Sequence, residues 1–246
     1  HFQSSPLELS RDQLEEYLFY LRENDQPSMS SFKHLVYGLR TMFSMFKNEE
    51  LYLSLPTISQ SKALPEVFSR QEIRRILKAP ALLKHRVLFS VIYDCGLRIS
   101  EVINLKITDV DFDRQQVHIR ESKCKKDRYV PISSIVLRGL SLYFETSRPQ
   151  VWLFNGKTRG QQISRQGIRY AFRAALRKAE IKKDVCIHTL RHTYATHLLE
   201  MGLDIMCVKK QLGHAELRTT LMYLHIARTS PKTGFSPMEK LYKHEQ

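Results

Sequence analysis

The chain has 246 residues, 42% of them apolar and 10% aromatic, with 39 Lys plus Arg against 25 Asp plus Glu for a net charge of +14. That apolar share is too high for a disordered chain, and no apolar run is long enough to span a bilayer, so a globular protein with a polyanionic partner such as nucleic acid is the leading expectation. A basic protein without such a partner is the blander alternative.

The charge is unevenly spread: residues 1–66 carry 6 basic and 9 acidic residues, and residues 67–246 carry 33 and 16. The opening residue is His1 rather than Met, which suggests a trimmed or partial chain. Four widely spaced cysteines, Cys95, Cys124, Cys186 and Cys207, form neither a zinc pair nor a disulfide framework, and no secretory leader is visible. A reducing cytosol or nucleoid is the expected compartment.

The first part reads as helical. Ser10 and Gln13 make a capping box ahead of Leu14, Tyr17, Leu18 and Leu21, which share one helix face. A second helix is predicted over about Ser30 to Lys47, with Phe32, Leu35, Val36, Leu39, Phe43 and Phe46 inward. Lys33, Arg40 and Lys47 recur every seven residues along it, a stripe that suits either a phosphate backbone or a solvated face. From Ser54 to Pro65 the periodicity stops and prolines and serines accumulate, as in a linker.

The second part opens with a capping box at Ser69 and Glu72, then an apolar helix through Val87 to Tyr93 that ends near Gly96. Arg98 begins a further helix whose inner face is Ile99, Val102 and Ile103. Asp109, Asp111 and Asp113 lack the glycine and distal glutamate of a calcium loop and read as a polar turn. Val117 to Arg120 and Arg128 to Ile132 form a hairpin around a lysine-rich turn, and Val151 to Phe154 suggests another strand. Helices are then expected over Ser164 to Ala179, about Leu190 to Met201, Ile205 to Leu212 and Leu217 to Ile226, with Gly202 and Gly213 at their ends.

No glycine-rich phosphate loop is present. His188, His192 and His197 have a spacing that invites zinc, but no cysteine pair or nearby acid completes a tetrahedral set. What remains is a set of cations and proton carriers beside glycines and helix starts: Arg98 after Gly96, Lys123 on the hairpin turn, His188 and Arg191 at one helix opening, His214 after Gly213, and Tyr223 nine residues on. Each alone has an ordinary structural explanation. Together they supply arginine forks for a phosphodiester, imidazoles, an ammonium donor and a phenol nucleophile.

The motifs GLRISE at 96–101, ESKCKKDRYVP at 121–131, HTLRHTYATHLLEMG at 188–202, QLGH at 211–214 and TTLMY at 219–223 together resemble the tyrosine site-specific recombinases, in particular Xer-type enzymes and integrases of bacterial mobile elements. The resemblance runs from about Ser69 to Arg228. It implies a mainly α fold with a small antiparallel β-sheet, arranged as a two-domain DNA clamp: a helical core-binding (SAM-like) domain over 1–58, a linker over 59–66, a catalytic domain over 67–230, and a tail helix over 231–246 exchanged between protomers. It makes Tyr223 the nucleophile that forms a 3′-phosphotyrosyl link and frees a 5′-hydroxyl. Arg98 and Arg191 would hold the non-bridging oxygens, His188 and His214 would handle protons, and Lys123 would protonate the leaving oxygen. Lys123 is singled out from Lys125 and Lys126 by its distance from Val130-Pro131, although the glycines that usually flank this lysine are absent.

Arg165 and Gln166 would read bases in the major groove, with Arg169 and Arg173 near phosphate or uninvolved, and Lys33, Arg40 and Lys47 are further DNA-contact candidates. No metal, ATP or other cofactor is implied. The expected partners are double-stranded DNA with a specific, inverted-repeat site and other copies of the chain, two on one site and four in synapsis, with no membrane. A type IB topoisomerase-like DNA-relaxing enzyme and a catalytically silent DNA-binding regulator are the alternative readings.

Overall fold

The computed structural model of the chain describes residues 2–56, 64–120, 127–158 and 160–227. It divides into two compact units, residues 1–63 and 64–246.

In the first unit α1 (Arg11–Tyr20) starts as its sequence requires: Ser10 Oγ accepts from the Gln13 N–H at 3.3 Å, and Gln13 Oε1 accepts from the Ser10 N–H at 2.9 Å. The helix widens into a π-turn over Leu21–Asp25 and stops at Gln26, whose φ is +38°. Helix α2 (Met29–Met45) begins behind Ser28 and ends two residues before the expected Lys47, which lies in the turn that follows with φ +54°. The early stop leaves Phe46 63% exposed, so it does not join the inner face expected of it. A short α3 (Glu49–Ser54), capped by Asn48, shows no clear periodicity in the sequence. The core joins Leu14 and Leu18 of α1, Val36 and Phe43 of α2, and Leu51 and Leu55. Leu55 is 3% exposed, so the fold extends past Ser54, and residues 57–63 of the expected linker lie outside the described residues.

The second unit is built on α5 (Leu83–Cys95), which follows α4 (Arg70–Lys78) and is apolar on most sides. The capping box at Ser69 and Glu72 forms as expected. After Gly96 come α6 (Ile99–Asn104), a 3₁₀ turn over Ile107–Asp109, and a three-stranded antiparallel sheet in the order β1 (Val110–Asp111), β2 (Gln116–Ile119), β3 (Arg128–Pro131). Val117 pairs with Val110 on one side and Val130 on the other. The expected hairpin is therefore present, and β1 adds a third strand. Asp109 is 3% exposed and receives Arg120 Nε at 2.7 Å, so within the expected polar turn it forms a structural ion pair.

Helix α7 (Ser134–Ser147) lies outside the expected elements, although the Ser133 cap followed by Val136, Leu137, Leu140 and Tyr143, all buried, carries its signal. It packs against α5. Val151 to Phe154 makes only a single bridge, Lys106 to Trp152, in place of the expected strand. The remaining helices are α8 (Arg165–Lys178), α9 (His188–Glu200), α10 (Ile205–Leu212) and α11 (Arg218–Leu221). The last is one turn, continued by turns to Ile226, where a longer helix is expected.

Helix α9 runs against α5 with Thr189, Arg191, Thr193, Thr196 and His197 buried, while His188 is exposed and His192 half-buried. Burying such groups is costly unless each finds a partner. Thr193 Oγ1 donates to the Thr189 carbonyl at 2.7 Å and accepts from the Phe68 N–H at 3.0 Å, which ties the helix to the segment before α4. A second apolar cluster gathers Tyr194, Ala195, Leu199, Val208, Leu212 and Tyr223 around the C-terminal end of this unit. Among the described residues no helix is long and apolar enough to cross a membrane.

Candidate active site

The site begins where α5 stops. Gly96 takes φ +60°, and a Cβ there would collide with the Tyr194 ring, so only glycine satisfies both the left-handed turn and the close approach. The chain then reverses and Arg98 becomes the N-cap of α6. Glu101, three residues on, accepts from the Arg98 N–H at 2.8 Å and from Arg98 Nη1 at 2.8 Å. The anion at this helix N-terminus is thus supplied by the helix itself.

Glu101 also receives both terminal nitrogens of Arg128, at 3.0 and 2.9 Å, and stands 3.7 Å from Arg191 Nη1. One buried carboxylate therefore holds three guanidinium groups. Burial pushes its carboxyl up, but the hydrogen bonds and charge of Arg128, the Arg98 N–H and the charge of Arg191 outweigh burial and hold it below the ordinary carboxylate range. The three arginines differ in reach: side-chain exposure is 21% for Arg98, 9% for Arg128 and 1% for Arg191.

Arg191 sits on the first turn of α9 and donates to the Gly96 carbonyl at 2.7 Å and the Leu212 carbonyl at 2.6 Å. Those carbonyls are the C-terminal ends of α5 and α10, where a cation is favoured. Burial and the neighbouring Arg98 bring its pKa down to about 10, which leaves it charged at neutral pH. Arg128 Nε donates to the Gln211 carbonyl at 2.9 Å and lies against Gly213, whose φ of +62° turns the chain from α10 to His214. The segments carrying Arg98, Arg191 and His214 are thus pinned to one another through backbone carbonyls and one carboxylate.

Tyr223 lies against this cluster at 2% exposure, its Oη 2.9 Å from His192 Nδ1. Its ring stacks on that of His214, with centroids 6.3 Å apart and planes at 16°. His214 Nδ1 is 2.9 Å from Thr220 Oγ1, and the His188 and His192 rings meet edge to face at 4.9 Å. Burial raises the Tyr223 phenol above its ordinary value, with Arg191 and Arg98 opposing it. Burial lowers these three histidines, aided by Arg191 and Arg98 for His214 and His188 and by His188 and Arg191 for His192: His214 to about 3, His192 to about 4, and His188 below its ordinary value. At neutral pH the cluster is a phenol and three uncharged imidazoles inside a cationic frame.

Five of the six candidate residues, Arg98, His188, Arg191, His214 and Tyr223, therefore gather in one place. Lys123 lies outside the described residues. Glu101 and Arg128 lie inside the recombinase-like motifs at positions where the sequence points to no role, and the spacing of His192 suggests only a metal ligand. The i, i+4 spacing of His188 and His192 on α9 was the available signal. His197 points elsewhere, its Nδ1 2.8 Å from the Tyr93 hydroxyl, and among the described residues no group of three His, Cys, Asp or Glu could hold a metal ion.

Arg165, Gln166 and Arg169 are exposed on the first turns of α8 behind the Ser164 cap. Arg169 and Arg173 also line a cleft of about 540 Å³ together with His188 and His192. In the first unit the expected basic stripe is broken. Lys33 lies over the Tyr37 ring and Lys47 falls outside α2, while Arg40 donates to the Leu55 carbonyl at 2.8 Å and sits over Tyr37 and Tyr52.

Residues 66–229 match the model of the phage integrase family. A putative integrase/recombinase of Sinorhizobium fredii is 35% identical over 243 residues, covering 98% of this chain and 79% of its own. Tyrosine recombinase XerA of Thermococcus onnurineus is 35% identical over 204 residues, covering 81% of this chain and 72% of its own. Among solved structures, XerA recombinase aligns with a TM-score of 0.62 at 28% identity over 90% of this chain and 80% of its own. XerH bound to its palindromic substrate after cleavage aligns at 0.75 and 20% identity over 91% of this chain and 71% of its own, a likeness of fold.

Proposed function

The chain belongs to the phage integrase family and is a tyrosine recombinase, an enzyme that cuts and rejoins DNA site-specifically, and from that premise we propose the residues that carry the reaction. Tyr223 is the nucleophile. Its oxygen attacks the scissile phosphorus, the bond to the 5′-oxygen breaks, and a 3′-phosphotyrosyl link keeps the bond energy for rejoining. Arg98 and Arg191 neutralise the non-bridging oxygens of the pentavalent transition state, preset by Glu101 and the helix-end carbonyls so that little reorganisation is needed. His188 and His214, neutral at pH 7, donate hydrogen bonds to the same oxygens. Lys123, between β2 and β3 in the sequence, gives the leaving oxygen its proton.

The observation that carries this reading is the position of Tyr223: its hydroxyl 2.9 Å from His192, its ring nearly parallel to that of His214, and the phenol within the field of Arg191 and Arg98. Because the phenol is 2% exposed, engagement with DNA must bring it outward before it can attack.

DNA binding is shared between the units. Arg165 and Gln166 at the start of α8 read base edges, and Arg169 and Arg173 meet phosphate beside the reaction cleft. Lys33 and Lys47 offer backbone contacts from the first unit, whereas Arg40, bonded within that unit, mainly holds it together. The target is a duplex with inverted repeats bound by two copies and synapsed by four, in the bacterial nucleoid; XerH, similar in fold, was solved on a palindromic substrate, which supports such symmetry.

A duplex nicked beside the cleavage position loses the short fragment after attack and traps the covalent adduct. Wild-type chain should accumulate it, and Tyr223→Phe should bind the same DNA and accumulate none. Equal adduct from the phenylalanine variant would remove Tyr223 from the role.

A further inference from the structure

We propose that Arg128 is a positioning residue for strand cleavage: it occupies Glu101, so that Arg98 and Arg191 keep their charge and free donors for the scissile phosphate, and it seats the end of α10, so that His214 stays beside them. The proposal rests on Arg98, Arg191 and His214 acting on that phosphate and adds the group that sets them.

A cation on the core face of a strand calls for a reason. Side chains alternate along β3, so Arg128 shares a face with Val130, which is fully buried, while Tyr129 between them is exposed. The backbone at Arg128 is fixed by pairing with Ile119 of β2. Burying a guanidinium is costly unless its N–H groups find partners. Here three nitrogens do: Nη1 and Nη2 donate to the two oxygens of Glu101 at 3.0 and 2.9 Å, and Nε donates to the Gln211 carbonyl at 2.9 Å. One side chain thereby joins β3, the first turn of α6 and the last turn of α10.

The donors at Glu101 show what this achieves. A carboxylate has about four acceptor positions. Arg98 fills two through its backbone N–H and Nη1, both at 2.8 Å, and Arg128 fills two more. Arg191 stands 3.7 Å off, bonded to the Gly96 and Leu212 carbonyls instead. Three guanidinium groups against one carboxylate leave a surplus of positive charge to meet phosphate. Without Arg128 that surplus falls, and Glu101 draws Arg98 and Arg191 toward itself. On the α10 side, a Cβ on Gly213 would stand 3.0 Å from Arg128 Nη1, so the Arg128 side chain is the surface on which the turn to His214 rests. A lysine supplies the charge, but one ammonium cannot grip both oxygens of Glu101 and the Gln211 carbonyl together.

The test compares single-turnover cleavage of two nicked duplexes, one with the natural scissile phosphate and one with a methylphosphonate there, in which a methyl group replaces one non-bridging oxygen and the charge is lost. Arg128→Met keeps length and apolar contact without charge. On the natural duplex at saturating enzyme, Arg128→Met should cleave on the order of 10²-fold more slowly than wild type and Arg128→Lys about tenfold more slowly, with duplex affinity within about twofold. On the methylphosphonate little charge remains to be neutralised, so both deficits should shrink to about threefold or less. Arg98→Ala, run beside them, should lose its deficit in the same way. Misfolding slows both duplexes alike, and Arg128→Lys serves where Arg128→Met melts below the assay temperature. Equal slowing on both duplexes, a loss carried by duplex affinity, or an unchanged rate would overturn the proposal. A full deficit of Arg98→Ala on the methylphosphonate would instead remove Arg98 from the phosphate and withdraw the role of Arg128 with it, a result distinct from a deficit confined to the Arg128 variants.

Discussion

At the scale of single residues, the site is organised by a carboxylate that never needs to meet DNA. Glu101 has 5% side-chain exposure, holds Arg98 and Arg128, and stands 3.7 Å from Arg191. Replacing it by Gln leaves like charges facing one another without a counter-ion. Removing one partner of a buried ion pair typically costs about 3 kcal/mol, and Glu101→Gln is expected to lose stability on that order, read by thermal denaturation, with slower cleavage from a displaced Arg98. The histidines predict a pH effect of definite sign. Their folded pKa values, about 3 for His214 and about 4 for His192, lie below the unfolded value of about 6.5. Between those limits the unfolded chain binds protons that the folded chain refuses, so stability must fall as pH drops from about 6.5 toward the folded values. Melting temperature followed across that window in the free protein should decline, and a bound phosphodiester, which favours protonated imidazole, should soften the decline.

At the scale of elements, the reactive groups are delivered by helix ends. Arg98 caps α6, His188 and Arg191 open α9, and His214 follows the end of α10. Helix ends expose backbone groups that need partners, and Arg191 meets that need for two helices at once while setting its own orientation. Gly96 makes the geometry possible. Gly96→Ala places a Cβ into the Tyr194 ring in a left-handed conformation, and the combined strain is expected to cost about 2 kcal/mol or more. Thermal melting should show that loss, and cleavage should suffer beyond it because Arg98 follows two residues later.

At the scale of the molecule, charge and length divide the work. Residues 1–66 carry more acid than base while the remainder carries the surplus of Lys and Arg, so the larger unit supplies most of the long-range attraction to DNA. The tail from Ser236, a cap followed by Pro237 and Glu239 ahead of Met238, Leu241 and Tyr242, reads as one amphipathic helix too short to stand alone, and it lies outside the described residues. If it serves a neighbouring protomer, deleting residues 236–246 should spare adduct formation on a single nicked site and reduce synapsis and strand exchange. Gel-shift stoichiometry beside a recombination assay would register both, and unchanged assembly would remove the tail from that role.

Caps, amphipathic periodicity and the order of short motifs were legible in the sequence because each is set by residues within a turn or two of one another. Ser10 with Gln13, Ser69 with Glu72, Gly96, Gly213 and the β2–β3 hairpin all stand where local chemistry places them. The family and its reaction followed from the same short motifs. The early end of α2, the single-turn α11 and the bridge in place of a strand at Trp152 departed from that reading, because packing against distant segments decides where such elements stop. The same holds for the hub at Glu101, the double service of Arg191 and the bond between Tyr223 and His192, which join groups up to 95 positions apart. Sequence determined which chemical groups the chain owns and the local frames that carry them. Only the tertiary structure decided which groups meet, because burial and long-range contact select a few pairings from many that local spacing leaves equally open.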